Sequence, residues 1–151
     1  MVLAPCLLTF LLGGTQVVAE EMETNGYVGS VACQPCHEQQ FRAFHNFARK
    51  SHSFASVEKM AVNLPEEKIR PCYGCHTTGY GKPSGFVSPE QTPELKNVGC
   101  EACHGPGRLH VKTQDPALIR RTVTIEVCKE CHTEERVQAF RYKPILYAGS
   151  H

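Results

Sequence analysis

Two thiols followed directly by an imidazole recur four times in this chain. The pentapeptides are Cys33-Gln34-Pro35-Cys36-His37, Cys72-Tyr73-Gly74-Cys75-His76, Cys100-Glu101-Ala102-Cys103-His104 and Cys128-Lys129-Glu130-Cys131-His132. A cysteine pair alone suits a zinc site or a redox dithiol, and four pairs could build two zinc ribbons. That reading leaves the histidine unexplained. Histidine is 8 of 151 residues, so its presence behind all four pairs has a chance of about 10⁻⁵ on composition alone. The pattern is that of covalent c-type haem attachment. Thiols a helical turn apart reach both vinyl groups of one porphyrin, and the next residue lies under the ring, where its imidazole binds iron. Four c-type haems are therefore expected. Cys33, Cys36, Cys72, Cys75, Cys100, Cys103, Cys128 and Cys131 are the expected attachment points, and His37, His76, His104 and His132 the expected iron ligands.

Four histidines remain: His45, His52, His110 and His151. Low-spin electron-transfer haems need a sixth ligand, and a second histidine gives low potential. On one continuous helix His45 and His52 would share a face about 10 Å apart, too far to serve one iron from the same side. His52, fifteen residues beyond His37, is the better ligand candidate. His110 follows His104 through Gly105-Pro106-Gly107 and would strain to reach the same iron, so it is expected on another haem. His151 is terminal, behind the apolar stretch 140–147, and is the third distal candidate.

Several elements must position these groups. Glu38–Met60 is the strongest helix candidate, with Phe41, Phe44 and Phe47 at three-residue steps and Phe54 and Val57 repeating that step further on. Leu64-Pro65-Glu66-Glu67 reads as a helix start, with the helix ending before Pro71. Residues 77–96 read as loop, with a helical turn starting at Thr92-Pro93-Glu94-Leu95. Asp115-Pro116-Ala117-Leu118 starts another turn. Thr124 opens a short helix carrying Cys128 and Cys131, expected to continue through His132–Phe140 to Pro144. The fold class is mostly α with extensive loops, short helices wrapped around four closely packed haems, and little or no sheet. The first cysteines are 39, 28 and 28 residues apart, so little chain serves each haem. Apolar sequence is too sparse for a conventional core; haem faces are expected to supply it, leaving the apoprotein largely unfolded.

Residues 1–19 carry no charge and are rich in Leu, Val, Ala and Gly. They read as a cleaved signal peptide ending at Val17-Val18-Ala19, although the usual basic start is missing. An uncleaved membrane anchor is the alternative. Cys6 would leave with the leader, and residues 20–151 form the tetrahaem domain. Periplasmic export fits, because thioether attachment in bacteria takes place outside the cytoplasm. The formal charge of +1 becomes about −3 oxidised and about −7 reduced once propionates and irons are counted. No basic run suggests nucleic acid; Arg49-Lys50 and Arg120-Arg121 read as solvated charges.

The stretch Val98–Arg108 resembles the cytochrome c-554 family of tetrahaem cytochromes, as do Cys72–Gly81 and Ser51-His52-Ser53-Phe54-Ala55. The resemblance runs from about Tyr27 to His132. It implies three bis-histidine haems and one five-coordinate haem, with His76 the sole ligand of the open one. It matches His52 and His110 to distal ligands, with His151 in the third role. The implied wiring is His110 to the first haem, His52 to the third and His151 to the fourth. The family's named member accepts electrons from hydroxylamine oxidoreductase. This chain departs from the pattern in being shorter after the fourth motif and in the tighter spacing of His110.

The leading expectation is a periplasmic electron carrier with no catalytic residues. Its partners would be donor and acceptor redox proteins, including a membrane-associated quinol-oxidising or reductase partner. One alternative is a reductase of nitric oxide, hydroxylamine or nitrite at an open haem. Another is a haem-filament subunit, a homo-oligomer in which His45 or His151 is donated to a neighbour.

Overall fold

The computed structural model describes residues 24–133, and these are helices and loops with no strand among them. The expected leader 1–19, Cys6, the continuation to Phe140 and the ligand candidate His151 lie outside the described residues. Six α-helices follow in order: α1 Glu38–Phe47, α2 Phe54–Ala61, α3 Glu66–His76, α4 Cys100–His104, α5 Arg108–Thr113 and α6 Ile125–Lys129. Short 3₁₀ turns at Ser30–Cys33, Arg49–His52, Pro93–Leu95 and Pro116–Leu118 link them. No helix among the described residues is long and apolar enough to cross a membrane.

The helix expected over Glu38–Met60 is broken into α1, a 3₁₀ turn and α2. Ala48 is extended (φ −86°, ψ 115°). The Ser51 hydroxyl donates to the carbonyls of Ala48 at 2.7 Å and His45 at 3.1 Å. The Ala48 carbonyl also accepts from the Ser51 N–H at 3.0 Å, so the α-helical ladder gives way here to a 3₁₀ bond reinforced by the side chain. One consequence corrects the 10 Å estimate: the His45 and His52 ring centres lie 5.0 Å apart.

Helix α3 also departs from expectation, because it runs through Pro71 to His76. Proline there removes the donor to the Glu67 carbonyl. Glu67 and Pro71 are both exposed, so water can serve that carbonyl. Burial of Ile69 on the opposite side holds the helix in place. The turns expected at Pro93 and Pro116 are present, and the Asp115 carboxylate caps the second by accepting from the Ala117 N–H at 2.9 Å.

Among the described residues, side chains build a core in one part only. Phe54, Val57, Ile69, Phe86 and Leu95 form a buried cluster, with Tyr27, Cys72, Tyr73 and Tyr80 packed against it. Tyr73 meets Phe86 edge-on with ring centres 5.2 Å apart. The loop 77–99 wraps this cluster by backbone bonds, Thr78 N–H to Leu95 O (2.9 Å) and Phe86 N–H to Thr78 O (3.0 Å). Its tight crossing needs glycine: a Cβ on Gly85 would fall 1.8 Å from the Gly79 carbonyl oxygen.

Candidate haem sites

Each described motif is one helical turn, which is what brings its histidine back over its first cysteine. The His37 N–H donates to Cys33 O at 3.0 Å and the His132 N–H to Cys128 O at 2.9 Å. The second motif ends α3 and the third is α4.

Three histidines have the same restraint on one nitrogen. Nδ1 of His76 donates to the Ser53 carbonyl (2.9 Å), that of His104 to the Arg120 carbonyl (2.6 Å) and that of His110 to the Asp115 carbonyl (2.9 Å). A carbonyl only accepts, so Nδ1 carries the proton and the lone pair sits on Nε2. This backbone clamp is how metal-binding imidazoles are held in one tautomer and orientation. His52 has the opposite arrangement. Its Nε2 lies 3.1 Å from the His45 carbonyl, which places its lone pair on Nδ1. To bind a metal, His52 would have to use Nδ1 or give up this bond.

A cavity of about 600 Å³ opens between the first and third motifs. Cys33, His37, Cys100, Cys103, His104 and His110 reach it, together with Cys128 of the fourth motif. Across it the His37 and His110 ring centres stand 6.3 Å apart, with planes 25° from parallel. Two imidazoles bound on opposite sides of one metal at about 2 Å per bond have ring centres just over ~6 Å apart. The residues present thus fit a bis-histidine metal centre. Phe41 and Phe44 of α1 supply apolar wall, while Phe47 turns outward and is 77% exposed. Lys50, Arg120 and Arg121 also line the cavity. Both arginines are nonetheless exposed, as expected of solvated charges, and Lys50 is half-buried.

Thiols of different motifs meet. The Cys33 and Cys100 side chains are hydrogen-bonded. The bond from Cys33 holds the Cys100 thiol down to about 6, against the effect of its burial. Cys33 is pushed up by the same bond and by burial. Burial, with Cys75 beside it, pushes Cys131 up to about 12. Cys103, raised by its own burial, feels the charge of Cys128. Neighbouring motifs thus include the first and third, the third and fourth, and the fourth and second, the last also through Cys131 Sγ and the Gly74 carbonyl.

The family of cytochrome c554 and c-prime matches residues 32–105. This segment belongs to the cytochrome c554 family. The match takes in the first three motifs and stops short of His110 and the fourth. Cytochrome c-554 of Nitrosomonas europaea is 31% identical over 96 residues, covering 54% of this chain and 39% of that protein. The chain thus spans well under half of its relative's length. No solved structure matches it. That match makes c-type haem, with its iron, the group served by the cysteine pairs of the matched segment.

Three residues of the cytochrome c554 segment carry more of the site than their sequence context signals. Ser53 accepts from the Val98 N–H (2.9 Å), donates to His76 O (2.8 Å) and clamps the His76 ring through its own carbonyl. It ties the second motif to the strand of chain leading into the third. Glu101, between the cysteines of the third motif, is only 3% exposed. Its carboxylate accepts from the N–H groups of Val28 (3.1 Å), Gly29 (2.8 Å) and Gly107 (2.7 Å). Lys50 sits near Cys103, Cys128 and His132, and burial together with this cation holds the His132 imidazole below its usual pKa. Ser53 and Glu101 lie in the family-like stretches, but no periodicity marks the role of any of the three, because their partners are backbone groups and side chains far along the chain.

Proposed function

We propose that this chain is an exported, periplasmic electron carrier that holds four c-type haems. Haem iron supplies a one-electron couple, and the protein sets its ligands, spacing and dielectric. The eight motif cysteines attach the four groups. His37, His76, His104 and His132 bind iron on the proximal side, and His110 completes the first site from α5. His52 and His151 serve the third and fourth. The observation that carries this reading is the His37–His110 pair: two rings from distant segments, 6.3 Å apart across a cavity lined by cysteines. The motif order first, third, fourth, second gives an electron a path through neighbouring sites with an end at each side. The apolar run 7–12 followed by Val17-Val18-Ala19 supports export.

The test is His110→Ala in the exported holoprotein. Electron paramagnetic resonance of the oxidised protein should gain one high-spin iron per chain over the parent, with four haems still bound by mass spectrometry. Unchanged low-spin signals would remove His110 from the ligand set. Fewer than four added haem masses in the parent would defeat the tetrahaem reading itself.

A further inference from the structure

The first distal ligand candidate sits on a helix too short to hold itself. Helix α5 has six residues, buries none of them and has no side-chain cap of its own; isolated helices of this length do not form in water. Its orientation must come from outside. The segment 25–29 lies along its start: Asn25 Nδ2 donates to Pro106 O (2.8 Å), the Leu109 N–H donates to Asn25 Oδ1 (3.1 Å), and the Arg108 N–H donates to Gly26 O (2.9 Å). At the centre of this strap is Glu101. Its Oε1 takes the N–H of Gly107, the residue before α5, and its two oxygens take those of Val28 and Gly29, just before the Cys33 turn. The approach is close enough that a Cβ on Gly107 would stand 3.3 Å from Oε1. Glu101 itself rides on α4 between Cys100 and Cys103.

We propose that Glu101 is the positioning residue for His110: one buried carboxylate fixes the distal imidazole of the first site to the helix that anchors the third. The inference rests on His110 serving the first haem. A carboxylate is needed because both oxygens must accept; an amide in its place turns one acceptor into a donor facing N–H groups. Loss of these bonds releases the start of α5, and with it the His110 ring, while leaving the thioether attachments intact. The third motif thereby reports on the ligation of the first, across 64 residues of sequence between Cys100 and Cys36.

The experiment compares Glu101→Gln, His110→Ala and the double variant as holoproteins. Glu101→Gln should keep four haems yet gain up to one high-spin iron per chain, erased by added imidazole. The double variant should match His110→Ala alone, because both changes act on one iron. Parent-like spins in Glu101→Gln, or high-spin iron in the double variant beyond that of His110→Ala, would overturn the proposal. If His110→Ala adds no high-spin iron over the parent, the ligand assignment fails first and the positioning role falls with it. Gly107→Ala covers the case in which Glu101→Gln yields no holoprotein. Its methyl group presses on Oε1, and a smaller gain at the same iron is expected; no gain in that background counts against Glu101.

Discussion

Helices α2 and α3 solve the problem of an interior differently from α1, α4 and α5. The first pair buries Phe54, Val57 and Ile69 and shares a closed cluster with Phe86 and Leu95. In the second group, α1 and α5 bury no residue, and α4 buries only Glu101. Where the first region has side chains the second has a cavity of about 600 Å³. Burial of apolar surface drives folding in either case. In one region the chain supplies that surface, and in the other a bound porphyrin must. The contrast teaches that a small haem protein need not depend on its cofactor uniformly.

Removing the haems should break the comparison open most widely. In haem-free protein, hydrogen exchange should lose protection throughout α1, α4 and α5, while amides of α2, α3 and the Thr78–Leu95 wrap keep part of theirs. Equal loss in both regions would mean that the side-chain cluster cannot stand without the cavity side. The next effect is confined to the packed side. Leu95→Ala should cost roughly 2–5 kcal/mol in chemical denaturation, with haem count and spin states as in the parent. A change in ligation would show that the two regions are mechanically coupled.

Asp115 offers a finer cut on the cavity side. Asp115→Ala removes a side-chain cap and should cost about 1 kcal/mol. The clamp on His110 comes from the Asp115 carbonyl, so the spin states should not change; a new high-spin iron would show that the cap itself orients the imidazole. Smallest are the exposed pairs Glu38–Arg42 on α1 and Glu66–Arg70 on α3, at 3.0 and 2.9 Å. Glu38→Gln and Glu66→Gln should each cost no more than about 0.5 kcal/mol, less in high salt. A larger loss at Glu38 would mark α1 as the more marginal helix.

Much of this was legible in the chain. The mostly helical class, strand-free among the described residues, followed from sparse apolar residues among many turn signals, and the turns at Pro93 and Pro116 from local chemistry alone. Helix boundaries were less legible. The Phe41–Val57 stripe looked continuous because periodicity does not reveal that Ser51 will take the Ala48 carbonyl. Pro71 looked like a stop because its cost depends on whether Glu67 can reach water, which only packing decides. The stripe also concealed a division of labour: Phe41 and Phe44 face the cavity, Phe54 enters the packed cluster and Phe47 faces outward.

Attachment chemistry is local, since two thiols and an imidazole within five residues meet in one helical turn whatever surrounds them. The amino-acid order therefore determined the family, the haem-binding residues proposed here and the helical class. Which motif lies beside which, which imidazole faces His37, and what holds it there were decided by tertiary structure. Those relations join residues tens of positions apart through backbone carbonyls and N–H groups, which every residue but proline offers alike and no sequence pattern can single out.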